Sequence, residues 1–205
     1  MFDFDFILDN WLFIATGIGA TLGVTIFSFL LASPIAAIVA GGRRSTFLPV
    51  RAIFSFYVLF IDGIPLFLQI FFIFLALPQL GIIFPGFGAA LLVLTLNYSS
   101  RMSEVFYGLF TTKEKSRDKT LSSWIPPFAN EFNNMIKDSA LLSATGFIHE
   151  IMWRATRVGR AEFRNLEALI VAAVIYLILI TGITVGAKVL KLMTATPISG
   201  IEATS

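Results

Sequence analysis

The chain has 205 residues, 57% of them hydrophobic, with 22 Phe, a mean hydropathy of +0.84 and a formal charge of +2. A soluble domain of this size keeps too much surface in water to hide that apolar area, so the composition places the chain in a lipid bilayer. The absence of cysteine excludes disulfides and thiolate metal sites, one histidine makes no transition-metal set, and so small a charge gives no case for nucleic acid.

The start, Met1-Phe2-Asp3-Phe4-Asp5, is acidic and lacks the basic n-region of a cleaved signal peptide, so the first apolar segment is expected to be retained. Five transmembrane helices are predicted, at about 11–40, 52–77, 89–110, 128–153 and 166–189, in a single all-α membrane domain over residues 1–193. The small, polar tail, 194–205, reads as flexible. The first span is long for a bilayer that needs about 20 residues, and Ser33-Pro34 offers a kink or an early end. Gly19 and Gly23 have the four-residue spacing that lets helices approach closely. The second span is interrupted by Asp62-Gly63-Ile64-Pro65, with Gln69 on the face of Asp62; Pro65 removes a backbone donor and bends the helix. Pro78 to Gly88 is uncharged and reads as a short external loop or shallow re-entrant turn. The third span carries Asn97, Arg101 and Glu104, the last two spaced to pair along the helix.

The fourth span carries most information. It holds Glu131, Asn134, Lys137 and Asp138, at a cost of about 2.5–3.5 kcal/mol for each charge exposed to lipid. On a wheel of about 3.6 residues per turn, Glu131, Asn134, Asp138, Thr145 and His149 fall on one side. Such a lane must face protein or a wet cavity. A charged connection follows, with Arg154, Arg157, Arg160 and Arg164, and the last span ends in Lys188 and Lys191. With the N-terminus outside, the inner segments hold Arg43, Arg44, Arg51, Lys113, Lys115, Arg117, Lys119, Lys188 and Lys191, which outnumber the four outer arginines. The positive-inside rule therefore puts the C-terminus in the cytoplasm.

Three stretches give the chain a family likeness. Asp62-Gly63-Ile64-Pro65-Leu66, then Gln69 and Leu77-Pro78-Gln79-Leu80-Gly81; Asn130-Glu131-Phe132 with Lys137-Asp138-Ser139-Ala140-Leu141-Leu142-Ser143; and Arg154 to Glu167. Together these resemble the permease subunit of bacterial ABC importers for polar amino acids (the His/Glu/Gln/Arg uptake class), a type I importer permease. The resemblance implies a multi-pass protein of the bacterial cytoplasmic (inner) membrane. It implies a second permease subunit, in a homo- or heterodimer, and two nucleotide-binding ATPase subunits that hold the ATP and Mg, with no cofactor on this chain. It also implies an extracytoplasmic substrate-binding protein. Two departures stand out. The family has Arg where this chain has Asp62. Its Glu-Ala-Ala coupling loop is shortened and altered here to Glu114-Lys115-Ser116-Arg117, with Leu121, Ser122 and Trp124 as the remaining candidates for coupling to the ATPase. Lys115 and Ser116 in place of small residues weaken a tight socket.

Asp62, Asn97, Arg101, Glu104, Glu131, Asn134 and Asp138 are the candidate lining of a substrate path, which recognises an ammonium and a carboxylate together. The expected function is a permease subunit that works by alternating access and catalyses no bond chemistry. The competing expectation is a permease-derived scaffold or regulatory subunit that does not transport, motivated by the altered loop. An enzyme has little support: His149-Glu150 has no nucleophile arranged around it and reads as a satisfied polar pair. No Gly-rich phosphate loop is present.

Overall fold

The computed structural model describes residues 5–111 and 121–194. Among them every regular element is helical. The order is α1 (Asp5–Asp9), α2 (Trp11–Arg43), α3 (Leu48–Gly63), α4 (Leu66–Phe71), α5 (Leu77–Gln79), α6 (Gly86–Thr111), α7 (Leu121–Ser139), α8 (Ile151–Ala161) and α9 (Asn165–Thr194). A π-helical turn, Phe72–Ala76, joins α4 to α5, and a 3-10 turn, Ala140–Thr145, prolongs α7.

Helix α2 forms because a long apolar run meets no breaker it cannot absorb. Pro34 lies inside it and leaves only the Leu30 carbonyl without its helical donor, a loss that membrane helices tolerate when neighbours re-satisfy the freed group. Its buried stripe, Val24, Ser28, Ala32, Ala36 and Val39, recurs at helical spacing. The small residues of that stripe let α6 lie close, with Ala89, Ala90, Val93 and Leu94 in the same core cluster. Gly19 and Gly23 take no part: a Cβ at either would meet nothing in this chain. The close approaches in α2 are at Gly17 and Gly42 instead.

The bend after α3 follows from Pro65. The residue before a proline is pushed to extended backbone, and Ile64 has φ −106° and ψ 123°. Helix α3 and the α4–α5 segment meet at 95°. Carbonyls released by the break are recovered by Gln69, whose Nε2 donates to the Ile61 and Ile64 oxygens, each at 2.8 Å.

By length and hydropathy, α2 and α9 are each able to cross a membrane, and the bent α3–α5 pair makes a third candidate. In α6 the stretch Asn97 to Glu104 lowers the hydropathy, and α7 carries the polar lane. Two boundaries differ from the sequence expectation. The expected loop 78–88 is partly helical, with Pro78 inside α5 and α6 starting at Gly86. The fourth segment starts earlier and stops earlier than expected. Its helix begins at Leu121 and continues through Pro126 and Pro127, and the turn after it ends at Gly146, left-handed at φ 75°. His149 therefore leaves the lane of Glu131, Asn134 and Asp138, and its ring stacks on Trp153 at 3.7 Å. The arginines after it are no loose loop, since Arg154, Arg157 and Arg160 ride on α8.

Candidate functional site

Helices α6 and α7 bring the ionisable groups together. Asp138 Oδ2 accepts a 2.8 Å hydrogen bond from the Tyr98 hydroxyl and lies 3.7 Å from Arg101 Nη1. The Arg101 guanidinium stands 5.4 Å from the centre of the Tyr98 ring. Glu131, two turns before Asp138 on the same face, accepts a hydrogen bond from Asn134 and feels the charges of Arg101, Asp138 and Asp62. Its Oε2 is buried without a hydrogen-bond partner. Asp138 thus pairs directly with Arg101, and the charges of Glu131 and Asp62 add to the same field.

That balance has a chemical meaning. A surplus of negative charge in partly desolvated surroundings attracts a cation, and an unpaired buried carboxylate oxygen is costly until a donor reaches it. Arg101 is 3.7 Å from Asp138, a loose pair whose fork remains able to hold a carboxylate by two parallel bonds. The side chains of Arg101 and Asp138 are 42% and 29% exposed, so the cluster opens on the flank of the bundle.

A second polar group sits at the bend. Tyr57 Oη is 3.0 Å from the Leu96 carbonyl, to which it donates, and 2.6 Å from Ser99 Oγ; Asn97 Nδ2 reaches Gln69 Oε1 at 3.5 Å. Asn97 therefore belongs to the hinge, where it links α6 to the residue that repairs the α3 break. Asn97 Oδ1 is buried and unpartnered.

The expected Arg101–Glu104 pair is not formed. Glu104 bonds Arg43 at 2.7 Å, at the far ends of α6 and α2, with Arg43 also 4.7 Å from the centre of the Tyr107 ring. Arg101 is drawn the other way because α7 presents Asp138 to it across the helix interface. Of the seven candidate path residues, Arg101, Glu131, Asn134 and Asp138 gather at the α6–α7 interface, Asp62 acts on Glu131 through its charge, Asn97 belongs to the hinge through Gln69, and Glu104 pairs with Arg43. Tyr98, which the sequence did not single out, is the neutral donor that orients Asp138. Its signal was its place one helical turn before Arg101.

Among the coupling candidates, Glu114 and Arg117 lie outside the described residues, and Leu121 is the first residue of α7. Ser122 is buried, and Trp124 packs edge-on against Phe106 and Phe110 and stacks on Phe128. That aromatic knot ties the start of α7 to the end of α6. His149 and Glu150 do not pair either. Glu150 caps α8, accepting from the backbone N–H groups of Met152 at 2.8 Å and Trp153 at 2.7 Å, and from the Tyr176 hydroxyl of α9. No group of three or more His, Cys, Asp or Glu suited to a metal ion occurs among the described residues.

The chain has relatives among known proteins. The chain is 31% identical over 193 residues to the L-cystine transport system permease protein TcyB of Bacillus subtilis (strain 168), covering 82% of this chain and 81% of that one. It is 27% identical over 203 residues to the arginine transport system permease protein ArtQ of the same organism, covering 89% and 92%. It is 25% identical over 205 residues to the organism's probable glutamine ABC transporter permease protein GlnM, covering 90% and 94%. Among solved structures, an amino acid ABC transporter crystallised with histidines superposes with a TM-score of 0.85 over 94% of this chain and 99% of that one, at 22% identity. No family model matches the sequence.

Proposed function

The chain belongs to the amino-acid ABC transporter permeases, and we propose that it carries a polar amino acid across the bacterial cytoplasmic membrane through a path to which the Asp62–Arg101–Glu131–Asp138 cluster contributes. The observation that carries this is the loose, partly exposed Arg101–Asp138 pair on the α6–α7 interface, with the buried, unpartnered Oε2 of Glu131 on the same face of α7. Arg101 takes the α-carboxylate, and Glu131 and Asp138 take the α-ammonium. The negative surplus favours a neutral or cationic amino acid over an acidic one. ATP hydrolysis belongs to separate subunits, a second permease subunit closes the open flank, and an extracytoplasmic binding protein delivers the solute. The N-terminus faces outside and the C-terminus the cytoplasm, with five crossings. Transport follows from alternating access, in which ATP binding and the solute each favour one of two openings by binding it better.

Uptake of labelled amino acids into vesicles holding the complete assembly tests this. Neutralising both carboxylates, Glu131→Gln with Asp138→Asn, is expected to reduce uptake by about 10-fold or more, the loss of one or two charge-assisted hydrogen bonds. Unchanged uptake removes them from the path. The alternative of a non-transporting scaffold, favoured by Lys115 and Ser116 in the coupling loop, is separated by co-purification, since a transporting permease brings down an ATPase subunit.

A further inference from the structure

Away from the charged cluster, α7 and α9 form a second polar recess. Asn133 Nδ2 donates to Thr184 Oγ1 at 2.9 Å, which joins the two helices. Beside that bond lies a pocket of about 220 Å³, lined by Asn130, Asn133, Thr184, Lys188 and Lys191 together with small apolar residues. It carries two cations and no carboxylate. Asn133 lies on the face of α7 turned away from Glu131 and Asp138, by more than a third of a turn from either at about 100° per residue. The recess is thus separate from the proposed path.

Asn133 Oδ1 is the informative atom. It is buried, the residue is 7% exposed, and no donor reaches it. A buried acceptor left unpaired costs about 1–3 kcal/mol, so a ligand that brings a hydroxyl here gains that back. The two lysines, one turn apart on α9, ask for an anion at the same time. A phosphodiester carrying a free hydroxyl meets both demands. A bound lipid also has somewhere to put its chains, because Leu177, two turns before Thr184 on the same face of α9, is exposed. Basic pockets between membrane helices are a recurrent way of holding anionic headgroups.

We infer that the α7–α9 recess binds one phosphatidylglycerol-type lipid, its phosphate on Lys188 and Lys191 and its glycerol hydroxyl on Asn133 Oδ1. The inference requires a membrane-embedded chain but not that it transports. In the proposed orientation the lipid comes from the cytoplasmic leaflet.

The test uses the purified, delipidated assembly, with lipid retention read by native mass spectrometry and melting followed alongside. Phosphatidylglycerol is expected to bind at least 10-fold more tightly than phosphatidylcholine, and more tightly than phosphatidic acid, which has the phosphate but no glycerol hydroxyl. K188Q with K191Q is expected to abolish the preference over phosphatidylcholine, and Asn133→Leu to abolish only the preference over phosphatidic acid. Equal binding of phosphatidylglycerol and phosphatidylcholine overturns the inference. So does a preference that survives the double lysine change, or displacement of the lipid by millimolar glycerol phosphate, which would mark a site for a soluble phosphate. Labelled amino-acid uptake, measured on the same preparations, reports separately on transport.

Discussion

Glu150 shows what a single residue can organise here. It is fully buried, and its two oxygens receive three donors: two from the first turn of α8 and one from Tyr176. The cap fixes where α8 begins, and the tyrosine ties that point to α9. Tyr176→Phe keeps the ring and deletes only the hydroxyl, so it is expected to lower stability by about 1–3 kcal/mol, the range for a buried polar group deprived of a partner. Thermal unfolding of the assembly checks this; an unchanged midpoint would mean that Glu150 is satisfied without α9. The sequence could not have shown this bond, because Tyr176 is 26 residues away and Glu150 sits beside the more conspicuous His149. By contrast, Glu131 and Asp138 were legible at once. A carboxylate in an apolar helix is expensive wherever it points, so its presence alone predicts a partner. Which partner was not legible. Arg101 is three residues from Glu104, but packing gives it to Asp138 and leaves Glu104 to Arg43.

Helix boundaries follow the same logic one level up. The apolar runs 11–40, 89–110 and 166–189 fall inside the helices α2, α6 and α9, because a run with no breaker has only one way to satisfy its backbone in lipid. The fourth segment was misjudged because its end is set by a left-handed Gly146 and by the Glu150 cap, neither of which disturbs the hydropathy. Two glycine substitutions separate packing from mere spacing. A Cβ at Gly17 would stand 2.9 Å from the backbone of Ile151, the first residue of α8, whereas one at Gly19 would meet nothing. Gly17→Val is therefore expected to displace α8 and cost about 1–3 kcal/mol, as overpacking does, while Gly19→Val leaves the fold of this chain unaltered. Limited proteolysis near residues 146–150 distinguishes the two. At the hinge, Gln69→Leu leaves the Ile64 carbonyl without its side-chain donor and the Ile61 carbonyl with only the long 3.4 Å bond from the Ile64 N–H. It is expected to lower the melting temperature by an amount equivalent to about 1–3 kcal/mol. If it does not, water or a partner supplies the donor at the 95° bend.

At the scale of the whole molecule, the charged cluster is incomplete in a single chain. Arg101 and Asp138 are partly exposed on a flank that, in a bilayer, either meets lipid or meets something polar, and a loosely paired guanidinium and carboxylate do not belong against acyl chains. A second subunit enclosing water resolves the conflict. The absence of cysteine makes this measurable, since any introduced thiol is the only one in this chain. Asn134→Cys, on the cluster face of α7, is expected to react with a membrane-impermeant, charged thiol reagent in the intact assembly, and to be protected by a transported amino acid. Ile178→Cys, exposed on α9, is expected to stay unreactive because acyl chains cover it and its thiol remains protonated there. The two rates should differ by about 10-fold or more, since a thiol reacts as thiolate and apolar surroundings suppress that form. Equal reactivity would place both residues in the same medium. The cluster would then be no part of an aqueous path, and the charges on α6 and α7 would serve only to hold the two helices together.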